Sequence, residues 1–308
     1  MRVAVAGASG LIGHALVTAL HERGDTTVIF VRPSTVERIG ETVRWDPARG
    51  VIDEGDLKRI GGVDAVVNLA GEGIGDRRWT ASRKVGILSS RVSATTVLAS
   101  ALGEFSNGGG FLANASAIGW YGSRGDEILD ETSDRGTGFL SDVCVSWERA
   151  TSPLEERGLG VAHLRSGVVI SSKGGALKKQ LPLFRSGLGG RYGTGTQWMS
   201  PISLIDEVRA VLWTIDHQLT GPVNLVIPEP ITNKDFTHSL ARVLRRPAFF
   251  NVPGPLLRTA LGGEMADELI LVSQRVTPER LRTSGFKFQH SDAETTLRWA
   301  LVSKESST

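Results

Sequence analysis

The chain has 308 residues, 40% of them hydrophobic and 22% charged, enough to bury a full core as one large domain or two intimately joined ones. Its formal net charge is only +2 and its Lys and Arg residues are scattered, which argues against the concentrated basic footprint of a nucleic-acid binder. A single cysteine, Cys144, cannot form an internal disulfide and has no Cys or His neighbour at zinc-site spacing; a reducing, cytoplasmic setting and no metal are expected.

The apolar run after Met1 meets glycines too soon for a secretory segment, and no stretch reaches the ~18–20 uninterrupted apolar residues of a membrane span. Neither a nucleic acid nor a membrane is therefore expected as a partner. In chain order, residues 3–6, 27–31 and 65–69 are short apolar runs of the kind buried on both faces of a sheet, with a helical pattern over 11–22 between the first two. This alternation predicts a parallel sheet with right-handed crossovers. Residues 80–102 contain no Pro and place Val85, Leu88, Val92, Val97 and Leu102 at roughly helical spacing, one long helix. A strand over 111–116, a Gly- and Asp-rich loop over 119–138, a helix over 139–157 and a strand over 161–170 follow. Beyond Ser171 the pattern becomes loop-rich, then helical over 204–216. A strand over 223–227, a helix over 233–244 and two or three short helices within 255–282 complete the reading.

The fold class is thus α/β, a Rossmann-type doubly wound parallel sheet with a smaller, mixed C-terminal substrate lobe. The expected division is a dinucleotide-binding domain over 1–170, a lobe over 171–301 whose strand near 223–227 returns to the sheet, and a frayed tail over 302–308.

The segment Gly7-Ala8-Ser9-Gly10-Leu11-Ile12-Gly13 stands between the first strand and the first helix. Gly7 allows the sharp turn off the strand, Gly10 the close approach of a pyrophosphate, and Gly13 the packing of helix on sheet. The N–H groups of Gly10, Leu11 and Ile12 then face the phosphates. About twenty residues further on, where an NAD enzyme carries an acid against the ribose 2′-hydroxyl, the chain has Arg32. A guanidinium pairs with a 2′-phosphate, so NADP(H) is favoured over NAD(H); a solvated surface Arg is the alternative. A third segment, Asn68-Leu69-Ala70-Gly71, ends its strand in small residues that leave room for the cofactor, although Asn68 could simply cap the turn.

With these go Trp45-Asp46-Pro47, Arg78-Trp79-Thr80, Ser90-Arg91, Ser116-Ala117-Ile118-Gly119-Trp120-Tyr121-Gly122, Trp147-Glu148, Arg165-Ser166-Gly167-Val168-Val169, Gly195-Thr196-Gln197-Trp198 and Thr232-Asn233-Lys234-Asp235-Phe236. Together they resemble the extended short-chain dehydrogenase/reductases of the nucleoside-diphosphate-sugar epimerase type, and within them the atypical "epimerase family protein" group, sometimes labelled cell-division inhibitors. The resemblance runs through Gly263-Glu264-Met265 to Gly285-Phe286. It implies dinucleotide contacts from Gly7, Ser9, Gly10, Leu11, Ile12, Gly13, Arg32, Leu69, Ala70, Gly71, Arg91 and Val169; a helix-surface ion pair is the other reading of Arg91.

Classical members of that superfamily use a Tyr-x-x-x-Lys pair, in which the Lys lowers the pKa of the phenol that acts as acid or base. Aligning Glu148 with the acid that often follows this motif puts Leu140 and Cys144 at the Tyr and Lys positions. Tyr121 and Tyr192, the only tyrosines, are followed four residues on by Gly125 and Thr196. Ser116 is the candidate survivor of the usual triad, and Tyr121 could donate a hydrogen bond from the same loop or, with Trp120, pack the pocket wall. Lys84, Arg185, Gln197 and Asn224 are candidate substrate contacts, though Arg185 and Gln197 also suit solvated loops. The group's Trp-Ile-His is Pro201-Ile202-Ser203 here, and the six histidines stand at no metal-ligand spacing and read mostly as surface residues. Two functions follow: an NADP(H)-dependent oxidoreductase or epimerase acting on an unidentified small molecule, as monomer or homodimer, or a catalytically weak NADPH-sensing regulator.

Overall fold

The computed structural model describes residues 1–35 and 40–302, without the side chains of 103–109 and 302. The frayed tail expected over 302–308 lies, from residue 303 on, outside the described residues. The N-terminal half runs β1 (Arg2–Ala6), α1 (Leu11–Glu22), β2 (Thr26–Val31), β3 (Glu41–Asp46), β4 (Val51–Ile52), α2 (Glu54–Ile60), β5 (Val63–Asn68), α3 (Ala81–Phe105), β6 (Ser106–Ala117), β7 (Ile128–Leu129), α4 (Phe139–Arg149) and α5 (Ser152–Glu155). There follow β8 (Gly160–Ser166), β9 (Val168–Ile170), α6 (Gly175–Arg185), β10 (Gly190–Tyr192), β11 (Trp198–Met199), β12 (Pro201–Ser203), α7 (Leu204–Asp216), β13 (Gly221–Leu225), β14 (Ile231–Thr232) and α8 (Asn233–Leu244). The chain continues through β15 (Phe250–Val252), α9 (Gly254–Leu261), α10 (Gly263–Leu269), β16 (Arg275–Val276), α11 (Glu279–Thr283) and α12 (Ala293–Val302).

Eight strands form one sheet in the order β13-β8-β6-β5-β1-β2-β3-β4, parallel throughout except for the β3–β4 pair. Alternate residues of β1 feed different layers: Val3 and Val5 pack with Leu16, Leu20, Val208 and Val211 from α1 and α7, while Ala4 and Ala6 pack with Leu57, Leu98 and Leu102 from α2 and α3. A strand buried on both faces needs a continuous apolar run, which is why these strands are readable by composition. A third cluster, with Ile170, Leu177, Phe184, Phe236, Leu240 and Leu297, joins β9, α6, α8 and α12.

Within α3, residues Ala81–Leu102 are long and apolar enough to cross a membrane by length and composition alone. The helix lies on the sheet instead, with Ile87, Ala94, Leu98 and Leu102 buried.

Four expectations change. The helix over 139–157 is two helices, because Pro153 has no N–H to bond back into the preceding turn. The strand over 161–170 breaks at Gly167, whose N–H bonds the Leu225 carbonyl at 2.9 Å and where an added Cβ would lie 2.1 Å from the Ser200 carbonyl oxygen. β9 therefore leaves the large sheet and pairs with β12. The region after Ser171 contains a true helix, α6, which buries Leu177, Leu181 and Phe184 on one face despite Pro182. Finally β3, not foreseen, buries Thr42, Val43 and Trp45 while Glu41, Arg44 and Asp46 stay partly open.

Candidate functional site

The site is built at the carboxyl edge of the parallel strands, where a crevice opens at the reversal of strand order beside β1. Gly7 leaves β1 at φ 81°, and an added Cβ would stand 2.7 Å from the Leu69 carbonyl carbon; Gly13 is closed in more tightly, its Cβ position 2.2 Å from the Gly7 carbonyl oxygen. Both glycines are therefore obligatory, one for conformation and space, the other for space alone. The Gly10 N–H bonds the Gly7 carbonyl at 3.0 Å, closing the turn. It is thus not free for a phosphate, as the sequence reading had it. The first-turn N–H groups of α1 at Leu11 and Ile12 remain, since the N-cap Gly10 supplies no side-chain acceptor. Ser9 lies exposed on the loop above them. A cradle this close-packed, with uncapped donors and the positive end of a helix, fits a pyrophosphate.

Arg32 directly follows β2, one strand over from Gly7. Its guanidinium is 56% exposed and stands 3.8 Å from Asp46, a loose pairing that leaves it open to an incoming anion. On the other side of β1, Asn68 is wholly buried. Its Oδ1 accepts from Ala70 N at 3.1 Å, and its Nδ2 donates to Thr95 Oγ1 at 3.0 Å and Asn114 Oδ1 at 2.8 Å. It is thus more than a turn cap: with Trp147, which donates to Thr95 at 3.0 Å, it ties β5, β6, α3 and α4 beneath the Leu69–Ala70 floor of the crevice. Arg91 packs against Gly71 and over the Trp147 ring at 5.0 Å. Its Nη1 donates to the Ile87 carbonyl at 3.0 Å, and burial lowers its pKa. No carboxylate among the described residues pairs with it, so the surface ion pair is not formed, and the guanidinium lies beside Gly71 at the end of the Leu69–Ala70 segment.

Ser116 is the next-to-last residue of β6, with Leu140 and Cys144 packed beside the turn that follows at Gly119. The positions aligned with Tyr and Lys do lie against this edge, and burial pushes the Cys144 thiol up to about 11. The Ser116 hydroxyl donates to Glu148 Oε1 at 2.7 Å. Arg165 grips Glu148 in a fork, and its Nη1 reaches the Tyr121 hydroxyl at 3.1 Å, which itself donates to Asn224 Oδ1 at 2.8 Å. The Arg165 guanidinium also lies 4.0 Å from the Trp120 ring centroid. Tyr121 is 0% exposed, and burial pushes its phenol up to about 12 even though Arg165 favours the ionised form. This corrects its candidacy as an acid or base: the hydroxyl is enclosed and fully engaged.

Asn224 is likewise 0% exposed, with Nδ2 on the Thr277 carbonyl, and does not reach a ligand. Gln197 uses its amide to join the carbonyls of Tyr192 and Ile270 at 3.1 and 3.2 Å. Arg185 is exposed at the end of α6, on solvent. Lys84, at the start of α3, is paired with Glu264 at 2.8 Å and set over the Phe139 ring. Val169 is half-buried on β9, its carbonyl facing the start of α6 at Gly175. Two histidines are not surface residues: His163 is buried beside Glu155, and His290 Nδ1 meets the Ser203 hydroxyl at 3.0 Å, at the position where the group carries its own His. Sequence reasoning missed the Glu148–Arg165 pair, although both residues stood inside quoted motifs.

Residues 3–140 match the NAD dependent epimerase/dehydratase family, and residues 252–300 match a domain of unknown function, DUF1731. An epimerase family protein of Mycobacterium bovis, Mb2239, is 44% identical over 299 residues, covering 97% of each chain. The crystal structure of human epimerase family protein SDR39U1 with NADPH is similar at a TM-score of 0.84 and 28% identity, over 97% of this chain and 98% of that one. Thermus thermophilus UDP-glucose 4-epimerase in complex with NAD shares the fold, at a TM-score of 0.74 and 17% identity, over 100% of both chains. The chain belongs to the epimerase family, within the NAD-dependent epimerase/dehydratase and short-chain dehydrogenase/reductase fold.

Proposed function

We propose that the protein binds NADP(H) and acts as an oxidoreductase or epimerase on a small molecule held between the sheet edge and the C-terminal lobe. The observation that carries this reading is the uncapped start of α1 under the Gly7–Gly13 cradle, flanked by the loosely held Arg32. The NADPH seen in human SDR39U1 supports the choice of nucleotide. Leu11 and Ile12 hold the pyrophosphate, Arg32 the 2′-phosphate, Leu69 to Gly71 the ribose, and Arg91 a phosphate or ribose further along. When bound, the nicotinamide supplies or accepts hydride. The Ser116 hydroxyl, near the end of β6, commits its proton to Glu148, so toward a substrate it acts as an acceptor, orienting a hydroxyl and not a carbonyl. One cysteine, buried, agrees with a reducing, cytoplasmic compartment.

A second reading is a weak or inactive enzyme that senses NADPH. It is favoured by one observation: Tyr121 is enclosed and Glu148 is held by Arg165, so the groups around Ser116 lack a free acid or base. Calorimetric titration with NADPH and NADH tests the shared premise, and absence of binding to either removes both readings. Absorbance at 340 nm with a panel of carbonyl and nucleotide-sugar compounds then separates them. Turnover supports the enzyme, and a bound but inert cofactor across the panel supports the sensor.

A further inference from the structure

The elements around the phosphate loop close into a ring. On one side Leu11 packs against Gly174, where an added Cβ would lie 3.2 Å from its Cδ1, and α6 rises from Gly175 to Lys179. On the other side Gly7 abuts the Leu69 carbonyl, and the chain continues through Gly71, Gly73 and Gly75. The two arms meet at Lys179, whose Nζ donates to the Gly75 carbonyl at 2.8 Å and pairs with Asp76 Oδ1 at 2.9 Å. The path from Arg32 past Leu11 and Ile12 toward Ser116, which the cofactor reading assigns to the dinucleotide, runs through that ring.

Resting on the cofactor reading above, we propose that residues 71–76 and Lys179 form a strap that closes over the bound dinucleotide and sets the rate of its exchange. On its own side the segment is braced to α3 and the turn before it, Arg83 donating to the Gly73 carbonyl and to Glu72, Glu72 N to Ser90 Oγ at 3.1 Å and Trp79 Nε1 to the Ile74 carbonyl at 2.8 Å, so Lys179 is the contact that crosses from α6 and can part. The segment's far end is anchored, Arg78 donating to the Ala260 carbonyl at 3.0 Å and to that of Thr259. The closing contact is exposed, Lys179 at 59% and Asp76 at 62%, so it can open without unfolding anything. Lys179 and Asp76 are thus positioning residues that govern retention.

Stopped-flow mixing with NADPH, followed by displacement with excess NADP⁺, gives both exchange rates from nicotinamide fluorescence. Lys179→Ala and Asp76→Asn are each expected to raise association and release together by about threefold, the scale of an exposed ion pair, with the dissociation constant within about twofold of wild type. Opposite effects of the two variants overturn the strap, because they indicate direct attraction between Lys179 and the phosphates. Unchanged rates overturn it as well, and so does faster release with affinity weakened in proportion. Wild-type protein that binds neither nucleotide overturns the cofactor reading and this inference together, a result distinguishable from the others.

Discussion

Arg165 clasps Glu148 through two parallel hydrogen bonds of 2.9 Å, Nε to Oε1 and Nη2 to Oε2, and Ser116 shares the same Oε1 at 2.7 Å. Both charged side chains are buried, exposed by only 4% and 9%. Arg165→Met leaves the carboxylate without its partner and is expected to cost about 3–5 kcal/mol of stability, whereas the double variant with Glu148→Leu recovers a large part of it. Urea denaturation of the four proteins at constant m-value measures this. A loss below about 1 kcal/mol for Arg165→Met contradicts a dry, mutually dependent pair.

Tyr121→Phe removes a hydroxyl that donates to Asn224 and accepts from Arg165. Leaving those partners unsatisfied is expected to cost about 1–3 kcal/mol, with NADPH affinity unchanged. Denaturation and fluorescence titration report the two effects separately. A variant of normal stability that binds NADPH tenfold more weakly places the phenol in the crevice after all.

Glu207 accepts from Ser166 at 2.6 Å through Oε1, while Oε2 is buried with no hydrogen-bond partner among the described residues, and burial raises its pKa to about 8. An acid whose folded pKa lies above its unfolded value of 4.5 holds its proton more tightly in the native state. Its contribution is intact below that value, declines through the window up to about 8 by about 1.4 kcal/mol per pH unit at most, and is constant above it. Glu207→Gln abolishes this decline, so its stability relative to wild type increases between pH 5 and 8. Denaturation curves at three pH values in that window check it, and a difference independent of pH means the side chain is already ionised.

The legible parts of this protein are those whose determinants are neighbours in sequence. The helices over 204–216 and 233–244 were bounded correctly because Ser203 and Thr232 cap them, each accepting from the N–H three residues on. The phosphate loop was legible for the same reason, down to Gly13, although the bond from Gly10 N–H to Gly7 was not. The network behind Ser116 was illegible. Tyr121 and Asn224 are 103 positions apart, and Glu148 and Arg165 stand in separate segments, neither of which points to the other until helix and strand bring them together. Punctuation also misled: Gly174-Gly175 signals a loop, yet Leu177, Leu181 and Phe184 just after it bury one helical face.

Arg32→Glu tests the choice of nucleotide. Asp46, the acid nearest Arg32 among the described residues, is 3.8 Å away and also lies 3.6 Å from Arg49, so the guanidinium has little to lose by turning to a 2′-phosphate. A carboxylate at this position repels that phosphate and can accept from a 2′-hydroxyl instead. NADPH affinity is expected to fall by ~1.5–3 kcal/mol, the scale of one charge-assisted hydrogen bond, while NADH affinity holds or improves. Calorimetry with the two nucleotides at matched ionic strength reads the difference, since a surface charge of this exposure is salt-sensitive. Equal loss for both shows that position 32 acts through the adenosine pocket as a whole and carries no discrimination for the 2′-phosphate.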